Sequence, residues 1–220
     1  VEWAIDYYKS MAKKLNITMK LGKEVTAQEV LALKPHSILV ATGSNVISIP
    51  LEGLDQVQTV QAHDVLANDM QFANKKVVVI GGGITGLETA LYINRQGTNQ
   101  VSVVDMLPEW PVDMLDMRYQ NEALLEVRHC NDQGVALFYN NKVVKFADGK
   151  LFIESTKDGE VKELPADVIV LSVGVKPNDA LWQELLASGH PSVWKAGDAI
   201  ATGKINKAVL HGSKFGYSLN

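Results

Sequence analysis

Lys76-Val77-Val78-Val79-Ile80-Gly81-Gly82-Gly83-Ile84-Thr85-Gly86-Leu87-Glu88 is the stretch on which the fold turns. The β-branched run Lys75–Ile80 predicts a buried strand, Gly81–Gly86 a glycine loop, and Leu87–Asn94 a helix that Gly97 stops. The loop reads GxGxxG, with Gly81, Gly83 and Gly86 as its fixed positions and Gly82, Ile84 and Thr85 between them. Three spaced glycines alone are a weak signal, so the context carries the reading. A strand precedes the loop and a helix follows it. The next strand, over Val101, Val103 and Val104, ends in Asp105 at the spacing of about 20 residues that a dinucleotide fingerprint requires. Each glycine has a mechanical task. Gly81 permits the tight turn, Gly83 lets backbone approach a pyrophosphate, and Gly86 lets the helix pack close to the strand. The phosphates then face a helix N-terminus, where free amides and the dipole favour an anion. Asp105 would accept hydrogen bonds from the adenosine ribose hydroxyls and repel a 2′-phosphate. No arginine follows it among Met106, Leu107 and Pro108, so NADH is favoured over NADPH. The bland alternatives are an ordinary turn cluster for the loop and an exposed strand-end residue for Asp105.

Outward from this unit the pattern is α/β. Ala4, Tyr8, Met11 and Leu15 share one face of a helix spanning Val1 to Leu15. Ile17, Met19 and Leu21 alternate as a short strand closed by Gly22. Thr26-Ala27-Gln28-Glu29 has the form of a capping box, so a helix starts there and Pro35 ends it. Ser37–Ala41 is an apolar strand leading into Thr42-Gly43. A connector with Pro50 and Gly53 precedes a short helix over Ala62–Leu66, and a polar helix is expected from Arg118 to Cys130. Four short strands follow, over Ala136–Tyr139, Lys142–Phe146, Lys150–Glu154 and Glu160–Leu164, with Asp148-Gly149 and Asp158-Gly159 as hairpin turns. Asp167–Val173 is a further buried strand ending at Gly174, and a last helix runs from Lys204. The organisation is two α/β units with a β-meander late in the second.

Composition narrows the function. The 220 residues carry 21 basic and 25 acidic side chains, a net charge of −4, which suggests neither a nucleic-acid nor an anionic-membrane partner. Apolar runs stay short of the roughly 18 residues a membrane span needs, and no basic-apolar-small leader opens the chain. The single cysteine, Cys130, excludes an internal disulfide, a CxxC pair and an iron–sulfur cluster ligated by these residues alone. A reducing, cytoplasmic location fits that. Cys130 and His129 are adjacent on a helix and point roughly 100° apart, so a packing role is expected for the thiol. His36, His63, His190 and His211 show no metal-ligand spacing. Trp3, Trp110, Trp182 and Trp194 are scattered and read as core or interface packing. The chain opens on Val1 rather than Met, from which a fragment is expected.

Four motifs in fixed order carry a resemblance: Ala41-Thr42-Gly43, the loop Gly81–Glu88, Ser172-Val173-Gly174-Val175-Lys176-Pro177-Asn178, and Ala196-Gly197-Asp198-Ala199. Together they resemble the two-dinucleotide-domain flavoprotein reductases of the pyridine nucleotide-disulfide type. Within these they look most like the C-terminal half of NADH:flavin oxidoreductases of the old-yellow-enzyme type, a branch with 2,4-dienoyl-CoA reductase, 2-enoate reductase and trimethylamine dehydrogenase. The resemblance spans nearly the whole chain. It implies an α/β fold in which a Rossmann-like NAD(P)-binding domain, residues 46–175, is inserted in an incomplete three-layer FAD-type domain, residues 1–45 and 176–220. By the same resemblance Thr42, Gly43, Gly197 and Asp198 contact the flavin nucleotide, Asp198 at its ribityl chain. Glu88 lies near the nicotinamide carboxamide and Gly174 beside that ring. Glu88 also reads as a solvated helix position, and Asp198 as a turn residue.

This chain has one GxGxxG where the family carries a second for the FAD pyrophosphate, and the fragment expectation rests on that too. FMN and a 4Fe–4S cluster are expected on an N-terminal barrel of the same polypeptide, outside these residues. The implied function is transfer of hydride from NADH to FAD, then onward to an unsaturated enoate or enoyl substrate, the isolated segment being inactive. No residue here is expected to act as a catalytic acid or base. Two alternatives stay open: a non-catalytic module holding ADP in the flavin position, and a shortened ferredoxin- or rubredoxin-type NADH reductase. Homo-oligomerisation is left open.

Overall fold

The computed structural model describes residues 2–108 and 117–219; Val1 and Trp110 lie outside them. In chain order the first elements are α1 (Glu2–Lys14), α2 (Ala27–Ala32), β1 (Ile38–Val40), β2 (Ser44–Val46), β3 (Gln58–Gln61), α3 (Ala62–Ala67), β4 (Lys76–Ile80), α4 (Ile84–Asn94) and β5 (Gln100–Val104). Then come α5 (Met117–Asp132), β6 (Ala136–Phe138), β7 (Asn141–Ala147), β8 (Lys150–Ser155), β9 (Val161–Pro165) and β10 (Val168–Leu171). β11 (Val175–Pro177), α6 (Ala180–Ala187), β12 (Val193–Lys195) and α7 (Ile205–Ser218) complete the order. The chain divides into two units, Val1–Gly43 with Pro177–Asn220, and Ser44–Lys176.

The unit Ser44–Lys176 is built on a parallel sheet of order β3-β10-β4-β5-β6. Its central strand β4 is covered on both faces, and the period of two along a strand sorts its side chains between two cores. Val77 and Val79 pack with Leu87, Ala90, Leu91 and Ile93 of α4, and with Val127 and Cys130 of α5. Val78 and Ile80 face the other way, onto Phe146, Leu151 and Ile153 of the antiparallel sheet β7-β8-β9. The unit therefore has three layers: helices, parallel sheet, meander. Burying each of these Val, Leu and Ile side chains contributes roughly 1.5–3 kcal/mol before conformational entropy is charged against it.

Asp148 and Gly149 both adopt positive φ, 52° and 73°, as a two-residue hairpin turn between β7 and β8 requires. At the second expected turn only Gly159 has positive φ, and the connection is longer, closed by Ser155 N–H donating to the Glu160 carbonyl. Two expectations change here. β6 is not part of the meander but pairs parallel with β5, because Ala136, Leu137 and Phe138 register against Ser102, Val103 and Val104. β3 went unread, since Gln58-Thr59-Val60-Gln61 at the sheet edge lacks a buried strand's apolar run.

In the split unit, β1 and β12 pair in parallel, joining residues far apart in sequence such as Ile38 and Val193. Their core is Ala27, Ile38, Val40 and Leu185, with Val30, Leu181, Trp182 and Val193 against it. The capping box forms as the sequence requires: Glu29 N–H donates to Thr26 Oγ1 at 3.3 Å, and Thr26 N–H to Glu29 Oε2 at 3.0 Å. The alternating stretch 17–21 is not a strand. Ile17, Met19 and Leu21 are 57%, 53% and 81% exposed, and no strand among the described residues pairs with them. Trp3 is exposed, and Trp194 meets Phe215 edge to face.

Candidate functional site

The site grows from the C-terminal ends of the parallel strands, the side of an open α/β sheet where ligands collect. Gly81 follows β4 directly. Its φ is +110°, and an added Cβ would sit 2.2 Å from the Ser172 carbonyl oxygen, so only glycine fits. The chain then reaches Gly83, the N-cap of α4, whose φ of −68° is ordinary extended backbone. No side chain caps this helix, so the amides of its first turn are left for whatever occupies the space before them. A Cβ on Gly86 would come within 2.0 Å of the Gly81 carbonyl oxygen, which makes that glycine the close contact between helix and loop.

Asp105 ends β5 and is held by backbone. Gly82 N–H donates to its Oδ2 at 2.6 Å, and Leu107 N–H to its Oδ1 at 2.8 Å. The carboxylate is therefore fixed against the glycine loop before any ligand arrives. Tyr139 closes over Gly82, where an added Cβ would lie 3.0 Å from Tyr139 Cε1 and 3.2 Å from Asp105 Cβ.

These groups border a cavity of about 550 Å³, within the roughly 300–1,000 Å³ of small-molecule sites. Of the residues expected at a nucleotide site, Gly81, Gly83, Ile84, Thr85, Asp105 and Gly174 line it. Gly82 reaches it through its bond to Asp105, and Gly86 supports the loop from behind. Gly174 has φ +92°, a value a side chain would strain. Glu88 lies on α4, exposed, and does not line this cavity. Thr42, Gly43, Gly197 and Asp198 belong to the other unit. There the Thr42 hydroxyl donates to the Asn178 carbonyl, Asn178 N–H donates to the Gly43 carbonyl at 3.0 Å, and Gly203 N–H donates to Asp198 Oδ1 at 3.0 Å. Gly197 N–H donates to His211 Nδ1 at 3.2 Å.

Sequence reasoning missed several lining residues. His63 sits at the start of α3, after the unread strand β3, Val46 ends β2, and Ile49 comes from the connector. Asn141 and Val143 come from β7. The rule that ligands gather beyond carboxyl strand ends finds Asn141 only once β6 is known to pair with β5 in the parallel sheet. Cys130 is outside the site: it is fully buried, and its Sγ lies 3.9 Å from the Leu87 carbonyl. Burial, with the nearby Glu126 charge adding to it, pushes the thiol up to about 11. Among the described residues no group of three His, Cys, Asp or Glu could hold a metal, and no helix is long and apolar enough to cross a membrane.

Comparison with known proteins gives a consistent picture. Residues 4–212 match the family model described as pyridine nucleotide-disulphide oxidoreductase. The chain is 29% identical over 227 residues to an NADH oxidase of Thermoanaerobacter brockii, covering 100% of this chain and 33% of that one. It is 33% identical over 175 residues to a bilirubin reductase of Mediterraneibacter gnavus, covering 80% and 26%. Among solved structures, a 2-naphthoyl-CoA reductase superposes with a TM-score of 0.80 at 27% identity, over 97% of this chain and 31% of that chain. The chain thus spans no more than about a third of the length of these relatives.

Proposed function

The chain belongs to the pyridine nucleotide-disulphide oxidoreductase family, and from that premise we propose that it is the nucleotide-handling part of an NADH-dependent flavin oxidoreductase. One observation carries this reading: the glycine loop, the uncapped start of α4 and the Asp105 carboxylate border one cavity. The pyrophosphate lies against the first-turn amides of α4, where its charge meets the positive end of the helix. Asp105 takes the adenosine ribose hydroxyls, and its negative charge disfavours a 2′-phosphate. Gly174 leaves backbone at the nicotinamide end of the cavity. Bound NADH supplies a hydride, and a flavin accepts it with a proton; the protein's own contribution is placement.

In the parent polypeptide Thr42, Gly43, Gly197 and Asp198 contribute to the flavin nucleotide site, which holds FAD. An N-terminal barrel of the same polypeptide would hold a 4Fe–4S cluster and FMN, the cluster suited to relaying single electrons and the FMN to delivering hydride to an unsaturated enoate or enoyl acceptor. The resemblance to old-yellow-enzyme-type reductases supports that sequence of carriers. Relatives named for bilirubin and 2-naphthoyl-CoA support a conjugated organic acceptor.

The test is titration of the purified chain with NADH and NADPH, read by nicotinamide fluorescence. NADH is expected to bind at least about 10-fold tighter, the equivalent of ~1.4 kcal/mol. Equal or reversed affinities would sink the Asp105 assignment. Gly83→Val is expected to abolish binding while leaving thermal unfolding within a few degrees, since its backbone conformation suits any residue.

A further inference from the structure

Six methionines stand in the chain, and among the described residues two are exposed, Met106 at 61% and Met19 at 53%. Of the two, Met106 lines the cavity and Met19 belongs to the other unit. Met106 follows Asp105 on a segment whose backbone is held on both sides. Asp105 N–H donates to the Phe138 carbonyl at 2.9 Å, Leu107 N–H to Asp105 Oδ1 at 2.8 Å, and Asn140 N–H to the Leu107 carbonyl at 2.8 Å. The main chain is therefore fixed while the side chain is open to solvent, in a wall that Leu107 and Val143 continue. A thioether suits such a wall, because it is polarisable and carries no strong donor or acceptor. It also reacts with peroxides, and unlike a thiol it need not first lose a proton, so access decides which methionine is oxidised. The one thiol does not compete, since Cys130 is fully buried.

We propose that Met106 is a reversible oxidation site that sets the affinity of the cavity for its nucleotide. The oxidant is hydrogen peroxide, a by-product of flavin chemistry in the presence of oxygen. The sulfur lone pair attacks one peroxide oxygen, the S–O bond forms as the O–O bond breaks, and the other oxygen leaves as water with both protons. Sulfur gives up two electrons and the peroxide takes them. The sulfoxide puts a polar oxygen into the apolar wall, next to a carboxylate of like sign. This rests on the nucleotide reading of the cavity and adds to it a control by oxidation.

The test is to treat the purified chain with hydrogen peroxide, map the products by peptide mass spectrometry, and titrate with NADH once the peroxide is removed. Met106 and Met19 are expected to gain oxygen ahead of the half-buried Met11 and Met70, and the Kd for NADH to rise about 5-fold or more. Saturating NADH during the treatment should slow oxidation of Met106 and leave that of Met19 unchanged. Methionine sulfoxide reductases for both epimers, with a thiol reductant, should restore the Kd. In Met106→Leu the ratio of Kd after treatment to Kd before it should fall to one, although Met19 still reacts. Oxidised Met106 with an unchanged Kd would overturn the proposal and leave the nucleotide reading standing. That comparison needs no variant. An unreacted Met106 beside an oxidised Met19, or an undiminished rise in a folded Met106→Leu, would overturn it as well. Failure of the untreated chain to bind NADH at all would overturn both readings.

Discussion

Asp105 shows how one side chain is made ready by the backbone around it. Two amides hold its two oxygens, so a ribose bound as proposed would meet a carboxylate that needs no reorientation. Asp105→Ala is expected to weaken NADH about 10- to 100-fold, the range of a hydrogen bond to a charged group, with a smaller effect on NADPH. Isothermal titration of both nucleotides checks this, and a uniform loss for the two would place the residue in loop support alone. Cys130 gives a prediction with a sign. Its thiol is raised from 9.0 to about 11, with burial as the main cause. The folded chain keeps that proton where the unfolded chain has lost it. Stability from this group is therefore full below pH 9 and is lost as pH rises towards about 11. Urea midpoints across that window should fall more steeply in the unaltered chain than in Cys130→Ala. Asp105 was legible because its type and spacing form a known pattern. Asn141 was not, since an asparagine after a strand reads as a turn until the sheet order places it at the cavity.

At the scale of elements, local chemistry that closes on itself was readable, and pairing between distant segments was not. Thr26 and Glu29 satisfy each other within one turn, so the start of α2 follows from four consecutive residues. Thr26→Ala should cost ~1 kcal/mol of stability, and Thr26→Ser much less, measured by denaturant unfolding. The Lys23 ammonium hydrogen-bonded to Glu29, helped by the Thr26 amide, holds the Glu29 carboxyl down to about 2. The cap should therefore persist below the usual carboxylate range and fail only as pH falls towards about 2. By contrast, alternation at Ile17, Met19 and Leu21 has the period of a strand but no partner, while the polar β3 is a strand because β10 is beside it. Gly86→Ala tests the junction of α4 with the loop. Its Cβ would sit 2.0 Å from the Gly81 carbonyl, so the variant should lose both nucleotide binding and several degrees of thermal stability.

On the scale of the molecule, the two units predict separable responses. A ligand at 100 times its Kd stabilises what it binds by about 2.7 kcal/mol. Hydrogen exchange with saturating NADH should therefore slow most in the unit Ser44–Lys176, at the first turn of α4 and the ends of β4 and β5. Protection confined to the split unit would contradict the placement of the site.

The pairing of β1 with β12 has a consequence in time. The whole unit Ser44–Lys176 lies between these strands, so a disordered insertion would make their meeting a long and improbable loop closure. Once that unit has formed, β2 and β11 bring its two ends together, and the same closure becomes local. Assembly should then be ordered, the inserted sheet first and the split unit after it, and pulse-labelled exchange should protect β4 and β10 before β1 and β12.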